Sequence, residues 1–326
     1  MNNTVNVFFA TDENYLPYLT VAIQSLKAYA DGEHDYRVRV LTTAESADIE
    51  RALNSLSCGT VTVTVHNVRK KIEHIKDALA LRLRDYYSES IYYRMFIPSM
   101  FPSLSRAIYL DSDIVLCRNV ADLWHTELKG ALIGAVTDES VISEPIFSRY
   151  VMRHIGLTNA RYYFNSGVLL MDLDAMRRAR IEEKFVHVLS TYNFCTVAPD
   201  QDYLNFLCRG RVHYLDRGWN KHAIDANEIP QSELYLMHYN MFTKPWHYRG
   251  IMNEELFWHH AKDTEYYAQL CRGLEEYTDA ARQSDLTGAE KLLAAAAEIT
   301  DSGECIADTI VRGYFDHIGL KERKQA

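Results

Sequence analysis

The sequence predicts an α/β protein with a largely parallel central sheet flanked by helices and a helical extension at its C-terminal end. Three observations lead there. Residues 5–65 alternate strand, helix, strand, helix and strand, the order that lays parallel strands under crossover helices. Several later apolar strands stop at acidic or amide residues, as strands do where a sheet edge opens on a ligand. After about residue 250 the pattern turns helical and Ala-rich, which divides the chain into a main domain, 1–250, and an extension, 251–326.

The first strand is Val5–Ala10, closed by Thr11-Asp12-Glu13-Asn14. Leu16, Leu19, Ile23, Leu26 and Ala30 then recur at helical spacing, with Pro17 in the first turn, where its missing N–H costs nothing. Tyr36–Leu41 is a strand, Ala47–Leu56 a helix, and Val61–Val65 a strictly alternating strand. Ser90–Phe96 reads as a helix. Ala107–Leu110 and Ala131–Val136 read as short strands, and Tyr163–Leu173 as the longest one. Leu173, Met176, Phe185 and Val188 mark one following helix, and Asp200–Cys208 another. Val212–Leu215 and Leu234–Met237 are late strands. Leu256–Tyr267, Tyr277–Arg282 and Ala289–Ile299 are the helices of the extension.

Composition narrows the partners. With 48% hydrophobic and 24% charged residues the chain is an ordinary globular one, so wholesale disorder is excluded. Its net charge of −9 argues against a nucleic-acid backbone as partner, because no broad positive field is available. Phosphate has to be bound locally, by a metal ion or a few placed donors. The six cysteines form no CxxC or zinc-like spacing and read as reduced thiols. With no run of 18 apolar residues and an opening stretch that reads as a strand, the expectation is a soluble, cytoplasmic protein.

The sharpest chemical signal is Leu110-Asp111-Ser112-Asp113-Ile-Val, two carboxylates just beyond an apolar strand. Paired hard oxygen ligands suit Mn²⁺ or Mg²⁺, ions able to bridge a diphosphate. The same pair also suits a plain polar turn. His238-Tyr-Asn-Met-Phe-Thr-Lys244-Pro-Trp-His247 follows another apolar strand. There His238 is a candidate third metal ligand and Lys244 a point charge for phosphate, against the alternative of an ordinary packing loop. Asp12, Asn14, Arg94, Asp138, Asn165 and Asp200-Gln201-Asp202 each have a local alternative: a helix cap, a surface ion pair, a strand end or a bulge. Convergence of several on one sheet edge is harder to assign to folding alone.

Over residues 5–250 these motifs, in this order, resemble the family 8 glycosyltransferases, retaining enzymes of the GT-A fold, a Rossmann-like architecture. Phe9-Ala-Thr-Asp12-Glu-Asn14-Tyr, Tyr93-Arg94, Tyr109-Leu-Asp111-Ser-Asp113-Ile-Val, Phe164-Asn165-Ser-Gly-Val-Leu-Leu, Asp200-Gln201-Asp202 and His238-Tyr…Lys244-Pro-Trp carry the resemblance. It implies metal binding at Asp111, Asp113 and His238, with Mn²⁺ (or Mg²⁺) as the ion. It implies a uridine and ribose pocket at Ala10, Asp12 and Asn14, Ser112 among the nucleotide contacts, and a diphosphate contact at Lys244. Arg94, Asp138, Asn165, Asp200 and Gln201 would surround the donor sugar. The implied reaction moves glucose or galactose from a UDP-sugar to a hydroxyl of a carbohydrate or glycolipid acceptor. Gln201 matches the position nearest the anomeric carbon, and as an amide it is a poor nucleophile, so same-face substitution is expected rather than a covalent intermediate. The chain departs from the family pattern at Asn240-Met241-Phe242, where a Gly-Pro is usual beside the diphosphate.

Two other classes stay open on sequence. In a HAD-type phosphatase Asp111 would be the nucleophile, although that motif normally opens its domain and no Gly-Asp-x-x-x-Asp follows. A nucleotide-sugar-binding protein without turnover would keep the same ligands. The C-terminal Lys321, Arg323 and Lys324 allow at most weak contact with an anionic membrane surface.

Overall fold

The computed structural model describes residues 3–73, 89–192, 194–223, 228–303 and 305–311. The tail lysines and arginine, Lys321, Arg323 and Lys324, lie outside them. Strands β1 (Thr4–Ala10), β2 (Asp35–Thr42), β3 (Val61–Asn67), β4 (Arg106–Leu110), β6 (Ile133–Thr137), β7 (Phe164–Asp172) and β8 (Val212–Tyr214) form one sheet in the order β3-β2-β1-β4-β7-β6-β8. The β1-β2, β2-β3, β1-β4 and β6-β8 pairs are parallel, as expected from crossover helices such as Leu16–Tyr29 and Ala47–Ser55. Strand β7 runs antiparallel to both β4 and β6. Its reversal matters for chemistry: the start of β7, with Asn165 and Ser166, lies at the same edge as the ends of β1, β4 and β6. Both sheet faces are covered, so β1 and β7 are almost continuously buried, with apolar side chains through most of β1 and over Val168–Met171 of β7.

A second, three-stranded sheet was not foreseen. β5 (Ile114–Leu116) follows the Asp111-Ser-Asp113 turn directly and pairs antiparallel with β10 (Leu236–His238), which pairs in parallel with β9 (Lys221–His222). Three-residue strands are too short to show periodicity, so Ile114–Leu116 read as the tail of a motif.

Several helix expectations are corrected. Ser90–Phe96 is a 3₁₀ run, Glu89–Phe96, rather than an α-helix. The helix expected from Leu173 through Val188 is two, Leu173–Arg178 and Ile181–Tyr192, broken at Arg180 with φ +54°. Leu256–Tyr267 divides into Glu254–Ala261 and Tyr267–Glu275. In contrast, Tyr277–Arg282 and Ala289–Ile299 are parts of one helix, Asp279–Ser302, capped by Thr278 and ended by Gly303 at φ +77°. Leu292, Ala296 and Ile299 on its buried stripe join the main core with Tyr150, Val151 and Ile155. No helix of the described residues is long and apolar enough to cross a membrane.

Candidate active site

Sheet register assembles the site. Leu110 of β4 faces Phe9 of β1 on one side and Val168 of β7 on the other, so the residues that follow or precede these positions meet. The Asp111 N–H donates to the Gly167 carbonyl (2.8 Å), and the Ser112 hydroxyl donates to the Ala10 carbonyl (2.9 Å). The β5-β10 pairing sets His238 opposite Ile114, and the Tyr239 N–H closes on the Asp113 carbonyl (3.0 Å). A main-chain bond from Tyr239 to Asp113 thus locks together parts of the chain that lie far apart in sequence.

His238 Nε2 lies 3.2 Å from Asp113 Oδ1 and 4.0 Å from Asp111 Oδ2. The three residues offer ligand atoms within 4.8 Å of one another. The imidazole is aimed by a relay of amides. Asn220 Nδ2 donates to Asn165 Oδ1 (2.9 Å), which turns Asn220 Oδ1 toward His238 Nδ1 (2.8 Å). Nδ1 therefore carries the proton and Nε2 presents its lone pair to the carboxylates, the tautomer a metal ligand needs. Gly167 forms the floor. A Cβ there would overlap the His238 ring and stand 2.6 Å from Asp111 Oδ2, so only glycine leaves room between the ligands. These residues fit a divalent cation by donor chemistry, by tautomer and by the space kept open.

Lys244 pairs with Asp113 Oδ2, and Arg94 Nη2 donates to Asp111 Oδ1 (2.8 Å). Burial alone would raise the Asp113 pKa, but the Lys244 ammonium beside it more than reverses this and holds the carboxyl well below the usual range. Burial likewise would lower Lys244, yet Asp113 keeps its ammonium charged. Arg94 also reaches Asp200 Oδ2 (3.3 Å), and the carboxylates of Asp111 and Asp200 outweigh its desolvation. The Asp200 carboxyl is raised by burial against the pull of Arg94.

Next to the metal ligands lies a second polar group. Asp138 Oδ2 accepts from Asn165 Nδ2 (3.1 Å) and Gln201 Nε2 (3.0 Å). Gln201 Oε1 in turn accepts the Ser166 N–H (2.9 Å), and Ser166 Oγ donates to Asp200 Oδ2 (2.8 Å). The capping alternative also holds for Asp138, whose Oδ1 takes the N–H groups of Ser140 and Val141. A bulge between Ala135 and Thr137 of β6 immediately precedes it. Asp202, by contrast, is structural: fully buried, it accepts the Tyr150 and Tyr163 hydroxyls and the Val197 and Ala198 N–H groups.

Most of these residues border one cleft of about 420 Å³, with Asn220, Gly167 and Asp202 behind its lining. Ala10, Asp12, Arg94, Asp111, Ser112, Asp113, Asp138, Asn165, Asp200, Gln201, His238 and Lys244 line it. Asn14 does not: it stands exposed on the turn where Asp12 Oδ1 accepts the Tyr15 N–H (3.0 Å). Sequence reasoning missed Asn220, Ser166 and Gly167 as site residues. Asn220 sits in a 3₁₀ turn with no motif around it, and only the fold brings it to His238.

Residues 6–250 match the profile of Glycosyl transferase family 8. The chain belongs to glycosyltransferase family 8. Among relatives of this transferase, a lipopolysaccharide 1,2-glucosyltransferase of Escherichia coli K12 is 27% identical over 260 residues, covering 74% of this chain and 73% of that protein. A glycosyltransferase-like protein of Haemophilus influenzae, named as putative, is 24% identical over 255 residues, 76% of this chain and 74% of its own. The galactosyltransferase LgtC, solved with donor and acceptor sugar analogues, superposes with a TM-score of 0.68 at 25% identity, over 82% of this chain and all of LgtC. The bifunctional WbbM shares the fold (TM-score 0.70, 20% identity, 85% of this chain), and the chain spans about half its length, 52%. The GT-A fold of these neighbours is the one described above.

Met241, one of the residues where the sequence departs from the expected Gly-Pro, adopts φ +57° and is 44% exposed at the cleft. The transferase keeps the left-handed turn despite the side chain, at a cost of about 1 kcal/mol. Met241→Gly should therefore raise stability by a net ~0.5 kcal/mol in denaturant titration, the relieved strain less glycine's extra unfolded-state entropy; a lower midpoint would show that the side chain supports the loop.

His247 stacks on Tyr277 with centroids 3.9 Å apart, and burial lowers its pKa to about 4 from 6.5. A depressed histidine gives stability that is present above its unfolded pKa and lost as pH falls through the folded one. His247→Phe keeps the stack and removes the titration. Its stability should fall less steeply between pH 6.5 and 4 than the parent's, by about 1–2 kcal/mol after allowance for partial solvent exposure. Parallel pH–stability curves would contradict this.

Proposed function

We propose that this family 8 enzyme transfers glucose or galactose from a UDP-sugar to a hydroxyl of a glycan acceptor, with retention and with a divalent cation, Mn²⁺ or Mg²⁺. The observation that carries the reading is the continuous ring of contacts along one cleft, from Asp113 through His238, Asn220, Asn165, Asp138, Gln201, Ser166 and Asp200 to Arg94 and Asp111. Asp111, Asp113 and His238 would hold the cation, which when bound offsets negative charge gathering on the departing diphosphate. Lys244 neutralises the diphosphate from the other side of Asp113. Asp12, with one oxygen on the Tyr15 N–H, has a second acceptor for the uracil N–H, and Ala10 and Ser112 shape the wall beside it.

The sugar lies against Asp138, Asn165, Asp200 and Gln201. The acceptor oxygen forms its bond to C1 as the C1–phosphate oxygen bond breaks, and the hydroxyl proton passes to that phosphate oxygen on the same face. The Gln201 oxygen stabilises positive charge at the ring. The named activities of the E. coli glucosyltransferase and of LgtC support a hexose donor and suggest a cell-surface polysaccharide or lipopolysaccharide acceptor. A cytoplasmic location fits six free cysteines. Family membership removes the phosphatase reading of Asp111.

A panel of UDP-sugars with Mn²⁺, scored for UDP release to water, tests this without knowing the acceptor. Slow release from UDP-glucose or UDP-galactose, stopped by EDTA, is expected, and GDP and ADP should bind at least ~10-fold more weakly than UDP because a mismatched base leaves buried polar groups unpaired. Gln201→Ala should slow turnover about tenfold by removing one charge-stabilising contact. No release from any UDP-sugar would leave a non-catalytic binder. A β-linked product by NMR, or sugar trapped on Asp200, would overturn same-face retention.

A further inference from the structure

The cleft continues beyond Lys244 to a wall made by the Asp279–Ser302 helix, whose Asp285 and Leu292 line it. They stand seven positions apart, so the helix follows the mouth for about 10 Å. Gly288, between them, is buried. Asp285 is held rigidly, for Tyr248 and Tyr277 both donate to its Oδ2 at 2.7 Å, and neither bond uses Oδ1. Tyr277 is the residue stacked on His247, which also lines the cleft and lies three residues beyond Lys244. Phe147 and Val151 border the same space as apolar surface.

We propose that this stretch is the acceptor subsite: Asp285 and His247 hydrogen-bond the hydroxyls of an acceptor sugar while its C–H face lies on Leu292 and Phe147. The inference rests on the hexosyl-transfer reading above. In a same-face substitution the incoming hydroxyl approaches beside the departing phosphate oxygen, so the acceptor has to stand on the phosphate side of the donor sugar. Lys244 marks that side, and the chain leads from it through His247 and Tyr277 to Asp285. A carboxylate already oriented by two phenols gives short, charge-assisted bonds to a sugar hydroxyl with little left to order. Apolar side chains opposite complete the pairing that a pyranose ring requires, polar on its rim and apolar on its face. The C-terminal helix is then part of the active cleft and sets which sugar is accepted.

Methyl glycosides of glucose and galactose, titrated by saturation-transfer NMR against the full chain with UDP and Mn²⁺, test the subsite. At least one should bind. Asp285→Asn keeps the shape and an oxygen for the two tyrosines, so the fold should persist, checked by its melting temperature, while Kd for that glycoside rises about tenfold. UDP affinity, measured by calorimetry on the same samples, reports on the donor reading separately. If UDP fails to bind the parent protein but the glycoside binding still depends on Asp285, the donor reading falls and the sugar subsite stands. Absence of glycoside binding, or equal binding by Asp285→Asn, overturns the subsite.

Discussion

Asp113→Asn is expected to lower divalent-cation-dependent turnover by on the order of 10³-fold, the scale of losing a preorganised electrostatic contact at the reacting charge. The carboxylate serves two partners at once, His238 Nε2 through Oδ1 and Lys244 through Oδ2. An amide has one acceptor, so the substitution loses the charge and turns an N–H₂ group toward either a lone pair or an ammonium. If it meets His238 it donates to Nε2 and occupies the lone pair meant for the cation. If it meets Lys244 two donors face each other. Either way the negative charge that balances Lys244 is gone, and the burial that this charge had overcome now works against the ammonium. The check is UDP-sugar turnover against Mn²⁺ concentration, with calorimetry of UDP and Mn²⁺ on the variant. Turnover equal to that of the parent protein, or a parent protein fully active in EDTA, would remove Asp113 from the metal site.

Much of this site was legible in the sequence because its residues sit where strands end. Asp12, Asp111 and Asp138 each follow an apolar run, and such runs reveal their own ends. Asn165 was legible for the opposite reason, since it begins β7, whose antiparallel course brings its start to the same edge. What was not legible is how His238 reaches Asp113. That depends on β5 and β10, three residues each, and on Asn220, which no local pattern distinguishes. Pairing across more than a hundred residues leaves no periodic trace in either partner. The helices of the extension were misdivided for a related reason. Gln283–Gly288 is polar and contains a glycine, so it read as a break, yet Asp285 and Gly288 face the body of the protein as part of one continuous helix. The polar character that hid the helix is the same character that brings Asp285 to the cleft.

Arg94→Met is the second large effect, and it falls on stability. The Arg94 side chain is 4% exposed and lies over the Tyr109 ring, 4.3 Å from its centroid. It binds Asp111 and Asp200, and it also donates to the Ser166 and Ile91 carbonyls. Methionine fills similar space and keeps the apolar contact with Tyr109, so the change isolates the loss of charge and donors. Two carboxylates are then left facing each other across a buried gap, a situation that costs about 3–5 kcal/mol when one partner of a buried pair is removed. For a chain of this size that corresponds to a melting temperature lower by on the order of 5–10 °C. The sign of the pH dependence follows from Asp200, whose carboxyl burial already raises while Arg94 pulls it down. Without Arg94 it rises further, and a carboxyl with a raised folded pKa gives stability that is present at low pH and lost as pH climbs through that value. The deficit of Arg94→Met relative to the parent should therefore narrow toward pH 5 and widen toward pH 8. Arg94→Lys restores a charge but not the fork that reaches two carboxylates and two carbonyls, so it should recover only part of the loss. Melting curves of the three proteins across that pH range decide the matter. An Arg94→Met variant that melts with the parent at pH 8 would mean that solvent, not Arg94, compensates Asp111 and Asp200.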